Sequence, residues 1–127
     1  AGTCEKSSCS VVAGSKVVKH TDVTPNSDAA MMSALDQQPV SIAIEADQSS
    51  FQLYKSGVFT GTCGASLDHG VLAVGYGTLD GTDYYKVKNS WGTSWGLDGY
   101  ILLERGAGQN KGAGQCGMLS AGSYPTV

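Results

Sequence analysis

Apolar and polar residues alternate along residues 39–46 (PVSIAIEA), as expected for a half-buried β-strand. Three aliphatic residues are predicted on its buried face: Val40, Ile42 and Ile44. Small or acidic residues are predicted on the opposite face: Ser41, Ala43 and Glu45. The preceding residues 29–38 (AAMMSALDQQ) favour a helix, with Ser27 as N-cap and Pro39 as the stop. The pattern therefore predicts a helix followed directly by a strand.

Short segments rich in β-branched and aromatic residues make up much of the remaining chain, at 11–23, 69–78, 82–92 and 99–106. Gly14 is expected to bend the first of these strands. Asp80-Gly81 is the strongest hairpin signal in the chain and predicts the turn between the second and third. A glycine-rich loop is expected at 110–118 and an extended segment at 118–127. These elements predict an α+β domain of one or two short helices packed on a mainly antiparallel sheet.

Composition narrows the class of protein. The chain has 127 residues, with 18 glycines, and its 11 acidic and 8 basic side chains give a net charge of −3. The glycines follow no three-residue period, which excludes collagen, and 41% hydrophobic residues argue against a disordered chain. We expect no nucleic-acid partner because basic residues form no stripe, and no membrane span because no apolar run exceeds four residues. The first ten residues lack the features of a signal peptide.

Four cysteines are present: Cys4, Cys9, Cys63 and Cys116. Their even number favours two disulfides and an oxidising compartment, while four reduced, buried thiols remain the alternative. Neither histidine has ligand-like spacing to the cysteines, so we expect no metal site. No cofactor is expected.

Two histidines are candidates for chemistry. His20 lies among charged residues beside a turn signal and is expected at the surface, whereas His69 opens a strand next to Gly70. An imidazole titrates near neutral pH and suits a general base. The segment KNSWGTSWG then places Asn89 at the end of a strand. We expect Asn89 to orient the His69 ring, with Trp91 shielding their hydrogen bond, against the alternative of purely structural tryptophans.

The blocks LDHGVLAVGYG and YYKVKNSWGTSWGLDGYILLERG resemble the histidine and asparagine regions of papain-like cysteine proteases. QQPVSIAIEADQSSFQLYKSGVFTGTCG and QCGMLSAGSYPTV resemble the right-hand domain of the same family and its carboxyl-terminal end. The resemblance implies the barrel-like right-hand domain over 1–127, with 1–10 as an interdomain segment leading into it. It also implies a secreted, lysosomal or vacuolar location, peptide or protein substrates, and cysteine-protease inhibitors as further partners.

The resemblance assigns roles to individual residues. His69 matches the catalytic histidine, Asn89 the orienting asparagine, Trp91 the shielding tryptophan and Asp68 an auxiliary electrostatic group. The implied substrate-binding residues are Ala43, Leu67, Gly70, Trp95 and Ala121. Cys63 and Cys116 match a disulfide of this domain. Cys4 is expected to pair with Cys9 in a short loop, the alternative being a bridge to the left-hand domain.

The pocket residues Ala43, Leu67, Gly70 and Ala121 are uncharged, so Leu, Val or Phe is expected at the second residue before the cut. Arginine is expected to be disfavoured there because it would meet no carboxylate. We expect the surface around His69, Leu67, Ala43 and Trp95 to be apolar. We call this surface the inner face, because the left-hand domain would cover it.

The family's nucleophilic cysteine lies in a C-G-[SA]-C-[WY] segment about 130 residues or more before the histidine, and no such segment occurs here. The predicted function is therefore the catalytic-histidine lobe of a cysteine endopeptidase whose nucleophile lies in a missing or separate left-hand half. The alternative is a catalytically inactive lobe that binds peptides or partners. No motif supports an independent hydrolase using Ser66 or Ser90.

Overall fold

The protein is described by a computed structural model covering residues 2–127. Seven strands form one sheet in the order β1-β7-β2-β4-β5-β6-β3. The strands are β1 (Lys19–Asp22), β2 (Val40–Ile44), β3 (Val58–Phe59), β4 (His69–Leu79), β5 (Thr82–Lys88), β6 (Tyr100–Glu104) and β7 (Gly122–Thr126). The helices are α1 (Asp28–Leu35) and α2 (Ser49–Gln52), with 3-10 turns at Lys6–Ser8, Gln109–Gly112 and Gln115–Gly117. Every strand pair is antiparallel except β3–β6. The predicted α+β, mainly antiparallel architecture is confirmed.

Helix α1 begins where its capping signal predicts. The Ser27 side chain accepts a hydrogen bond of 3.2 Å from the backbone N–H of Ala30. Met31 and Ala34 are buried against the sheet, as their helical spacing predicts. The helix ends at Leu35, before the predicted limit, and turn residues lead from it to Pro39.

The β4–β5 hairpin has the predicted turn. Asp80 and Gly81 have φ angles of 50° and 80°, the left-handed conformation of a tight two-residue hairpin loop. A β-bulge interrupts the pairing between Ala73 and Gly75, which leaves Val74 without a partner residue on β5. Strand β5 ends at Lys88, so the following NSWG residues form a loop rather than the predicted end of a strand.

The predicted strand over 11–23 is largely wrong. Only Lys19–Asp22 pairs with β7, because residues before Val18 find no partner strand. Val11 is 89% exposed, and Val12, Val17 and Val18 are exposed as well, whereas Val23 is buried. Apart from the Lys6–Ser8 turn, residues 2–18 contain no helix or strand.

The core lies between one face of the sheet, helix α1 and the loops carrying α2 and β3. Its largest fully buried side chains include Tyr85, Phe51, Met31, Ile44 and Ile101. The predicted alternation of β2 is confirmed, since Val40, Ile42 and Ile44 are all buried. Within residues 2–127, no helix has the length and apolar character needed to cross a membrane.

Candidate active site

His69 and Asn89 meet at one end of the β4–β5 hairpin. His69 is the first residue of β4, and Asn89 directly follows the last residue of β5. His69 Nε2 lies 2.8 Å from Asn89 Oδ1, and Asn89 is only 8% exposed. The same Oδ1 accepts a 2.7 Å hydrogen bond from the backbone N–H of Ser90. Because that contact identifies the amide oxygen, which can only accept, the Nε2–H of His69 is the donor and Nδ1 takes no part in this hydrogen bond.

An aromatic cluster covers this pair. Trp91 stacks on the His69 ring with centroids 5.3 Å apart and an interplanar angle of 25°, and Trp91 itself is 38% exposed. Its edge packs on Phe51 at 5.7 Å and on Trp95 at 5.2 Å. Trp91 therefore covers one face of the His69 ring.

Trp95 lies beneath this cluster rather than on the surface. It is 9% exposed, its Nε1–H donates to the Gln52 carbonyl oxygen at 2.9 Å, and its ring packs on Phe51 and Tyr54. Trp95 itself therefore adds little to the expected apolar inner face, because it packs against Phe51 and Gln52 of α2. Burial also raises the pKa of the neighbouring Tyr54 phenol.

The loop that leads into His69 is hydrogen-bonded to the end of β2 and to the residues just after it. Asp68 donates its backbone N–H to the Ile44 carbonyl oxygen at 2.9 Å and accepts the Ala46 N–H at 2.8 Å through Oδ1. Cys63 and Cys116 form the implied disulfide, with Cα atoms 4.8 Å apart. Asp68 thus fixes the chain directly before His69 through two hydrogen bonds.

The burial of Glu45 was not predicted. The residue was expected on the outer face of β2, yet it is buried, because residues 64–66 fold over its carboxylate. The two carboxylate oxygens accept backbone N–H groups from Gly64 at 2.8 Å and Ser66 at 2.7 Å. A Cβ at position 64 would lie 2.6 Å from Glu45 Oε2, so only glycine permits this approach. The glycine that follows Cys63 was the only feature of the sequence that indicated this close contact with Glu45.

Three of the implied pocket residues, Gly70, Ala43 and Ala121, lie side by side at the sheet. Ala43 pairs with Gly70 across β2 and β4, and its N–H donates to the Ala121 carbonyl oxygen at 3.2 Å. Leu67 lies on the loop before His69 and is exposed. A groove of about 450 Å³ adjoins Ala121 and runs between 22–25 and 120–123.

The remaining candidates lie elsewhere. His20 is exposed, as predicted, with Nε2 3.9 Å from Asp22 Oδ1. Cys4 and Cys9 are exposed free thiols, so the expected Cys4–Cys9 bond is absent from the structure. Ser90 touches the site through its backbone, and Ser66 contacts Glu45 in the same way. Across residues 2–127, no three His, Cys, Asp or Glu side chains are grouped as metal ligands would be.

Comparison with known families gives one match over almost the whole chain. The family described as papain family cysteine protease matches residues 1–126. Among curated proteins, vignain of Ricinus communis is 50% identical over 125 residues, which cover 98% of this chain and 34% of vignain. Probable cysteine protease RD21C of Arabidopsis thaliana is 54% identical over 84% of this chain and 23% of its own length. The chain therefore spans only 23–34% of the length of these relatives.

Solved structures agree with the sequence relatives. The bromelain protease of Ananas comosus, in complex with the E64 inhibitor, superimposes with a TM-score of 0.88 at 41% identity, over 99% of this chain and 57% of that chain. The Carica candamarcensis cysteine protease CMS1MS2, in complex with E-64, gives a TM-score of 0.81 at 46% identity, over 87% of this chain and 49% of that chain. The sheet and short helices described above are thus those of the right-hand domain of these enzymes.

Proposed function

The chain belongs to the papain family of cysteine proteases, and on that premise we propose that it is the catalytic-histidine lobe of a cysteine endopeptidase. His69 is the general base and acid, Asn89 orients its ring, and the full-length protein supplies the nucleophilic cysteine from its left-hand domain. The observation that carries the proposal is the 2.8 Å contact between His69 Nε2 and Asn89 Oδ1, with that oxygen held by the Ser90 N–H.

This geometry supports a complete proton cycle. His69 Nδ1 takes the proton of the cysteine thiol, and the resulting thiolate attacks the carbonyl carbon of the peptide bond. The imidazolium then donates that proton from Nδ1 to the leaving amine as the C–N bond breaks. In the second half, Nδ1 takes a proton from water, whose oxygen attacks the acyl carbon and displaces the thiolate. Throughout, Asn89 Oδ1 keeps the proton on Nε2 and the ring in one orientation.

Substrate contacts follow from the same proposal. Ala43, Leu67, Gly70 and Ala121 form the pocket for the second side chain before the cut, and apolar side chains gain from burial there. Trp91 covers the catalytic pair and Asp68 supports it electrostatically. The E-64 in the CMS1MS2 structure and the E64 in the bromelain structure support the further proposal that the full-length protein binds such inhibitors.

We also propose that residues 1–127 form one right-hand domain, with 1–10 leading into it from the left-hand domain, and that the protein works in a secreted, lysosomal or vacuolar setting. The Cys63–Cys116 disulfide supports an oxidising compartment.

The test uses the full-length protein and a peptide with a fluorescent amide leaving group. We expect hydrolysis that a thiol-alkylating inhibitor blocks, and we expect His69→Ala to lower kcat/KM by about 10²- to 10⁴-fold. His20→Ala is the matched control and should leave kcat/KM unchanged, since His20 is exposed and remote from Asn89. The isolated 127-residue chain should show no peptidase activity. Peptide binding without cleavage by the full-length protein would instead establish the inactive binding lobe.

A further inference from the structure

We propose that Asp22 is a specificity-determining residue that gives the substrate pocket an acidic far end. Its carboxylate would pair with lysine or arginine at the second residue before the cut. This inference rests on the proposed function and deepens it by naming a second class of side chain that the site accepts.

Strand register places Asp22 on the same face of the sheet as the pocket. Gly122 pairs with Ile42, and a Cβ at Gly122 would contact Met31 and Val40, so this row faces the core. Directly paired residues share a face, and successive residues alternate between faces. The neighbouring row therefore faces away from the core, and its members are Asp22, Ser123, Ser41 and Leu72.

The row ending in Asp22 lies beside the pocket row. The pocket row consists of Gly70, Ala43 and Ala121, joined by the Ala43–Gly70 pair and the Ala43 N–H to Ala121 bond. The 450 Å³ groove is lined by both Ala121 and Asp22, so it connects the two rows. Asp22 lies two strand spacings across the sheet from β2 and is level with Ser41, two residues along the strand from Ala43, so the path from Ala43 to Asp22 is about 12 Å.

The side chains along this path are small. Ala121, Gly122 and Ser123 line the groove between the pocket and Asp22. An apolar side chain such as leucine ends near Ala43 and Ala121, while the longer chain of lysine or arginine continues along the groove with its cation toward Asp22. The stem of such a side chain packs on apolar surface and its charged end stays in water.

The carboxylate of Asp22 is available to a substrate cation. The side chain is 77% exposed, and its one ionic partner within residues 2–127 is His20, at 3.9 Å. Lys88 continues the same row beyond Leu72, at the opposite end of the row from Asp22 and outside the groove. The expectation that arginine meets no carboxylate was based on the four pocket residues alone. In this proposal, Asp22 supplies the carboxylate that those four residues lack.

The experiment compares full-length wild type with Asp22→Asn on two peptide substrates that differ only in Arg or Leu at the second residue before the cut. An exposed ion pair contributes little, so we expect Asp22→Asn to lower kcat/KM for the Arg peptide by about two- to fivefold and to leave the Leu peptide unchanged. The Arg-to-Leu ratio of the wild type should also fall at high salt, which screens exposed pairs. Ser123→Leu should lower the same ratio by closing the path to Asp22.

Asp80→Asn is the matched control, because it removes one exposed carboxylate from the distant hairpin turn and asparagine tolerates the positive φ there. An Arg-to-Leu ratio that is equal in wild type and Asp22→Asn would overturn the inference while the proposed function stands. Hydrolysis of neither peptide would overturn the proposed function, and this inference with it.

Discussion

At the scale of single residues, Asn89 acts through one oxygen that accepts two N–H groups. Asn89→Ala removes the partner of His69 Nε2 and leaves the ring free to turn, so we expect kcat to fall about tenfold with little change in KM. Ser90→Ala is the control, since its backbone N–H makes the contact and survives the change. Stopped-flow or steady-state assays on the full-length protein measure both. Full kcat in Asn89→Ala would contradict the orienting role.

Glu45, unlike Asn89, uses two side-chain oxygens, each of which accepts a backbone N–H. Glu45→Gln replaces one acceptor by an NH₂ group that faces a backbone N–H of the 64–66 loop. We expect the free energy of unfolding to fall by about 1–3 kcal/mol, because a buried donor is left unpaired. Denaturant titration compares it with Asp47→Asn on the exposed neighbouring residue, which should change stability by less than about 0.5 kcal/mol. Equal stabilities would show that the carboxylate is not what holds the loop.

At the scale of elements, a short hydrogen bond from β5 fastens the first turn of α1 to the middle of the sheet. Tyr85 on β5 donates to Asp28 Oδ1 at 2.6 Å, and burial, followed by this hydrogen bond, raises the pKa of the Tyr85 phenol. A raised folded-state pKa means that this contribution is complete below about pH 10 and is lost as the pH rises further. We expect Tyr85→Phe to cost about 1.5–3 kcal/mol near neutral pH and to flatten the alkaline loss of stability.

Thermal or denaturant unfolding of the wild type and Tyr85→Phe, measured between pH 7 and 11, tests this prediction. Tyr84→Phe is the control, because it alters the neighbouring residue of β5, whose side chain projects to the opposite face of the sheet. If the free energy of unfolding falls as steeply at alkaline pH in Tyr85→Phe as in the wild type, ionisation of Tyr85 does not cause that loss of stability.

Elements whose signals are local were predicted well from the sequence. Ser27 caps α1 through its own side chain, and Asp80-Gly81 supplies the backbone angles of the hairpin turn, so neither depends on distant residues. The strand predicted over 11–23 failed because a strand needs a partner, and only 19–22 has one. Helix α2 was missed because its four residues are held by packing of Phe51 under the two tryptophans. His69 and Asn89 were predicted from their types and flanking residues, whereas the burial of Glu45 depends on a loop about 20 residues away.

At the scale of the whole molecule, the Cys63–Cys116 disulfide joins residues 53 positions apart. A loop of this length gives about 4 kcal/mol through restriction of the unfolded chain. We therefore expect the double variant Cys63→Ser/Cys116→Ser to lose about 2–5 kcal/mol of stability in chemical denaturation. Cys9→Ser changes an exposed free thiol and should leave the midpoint in place. A double variant as stable as the wild type would show that the disulfide does not contribute to the stability of the folded domain.

The bulge at Val74 has a consequence for insertions and deletions. Ala73 pairs with Val87 and Gly75 with Lys86, so a protein without Val74 would retain every pair in β4 and β5. It would nevertheless lose the local bend that a bulge adds to a strand, and His69 lies five residues beyond that bend, at the end that meets Asn89. Added residues at Asp80-Gly81, at the other end of the hairpin, would leave that approach untouched. Length variants of this hairpin should therefore be tolerated at its tip and not at Val74, although both changes keep the sheet intact.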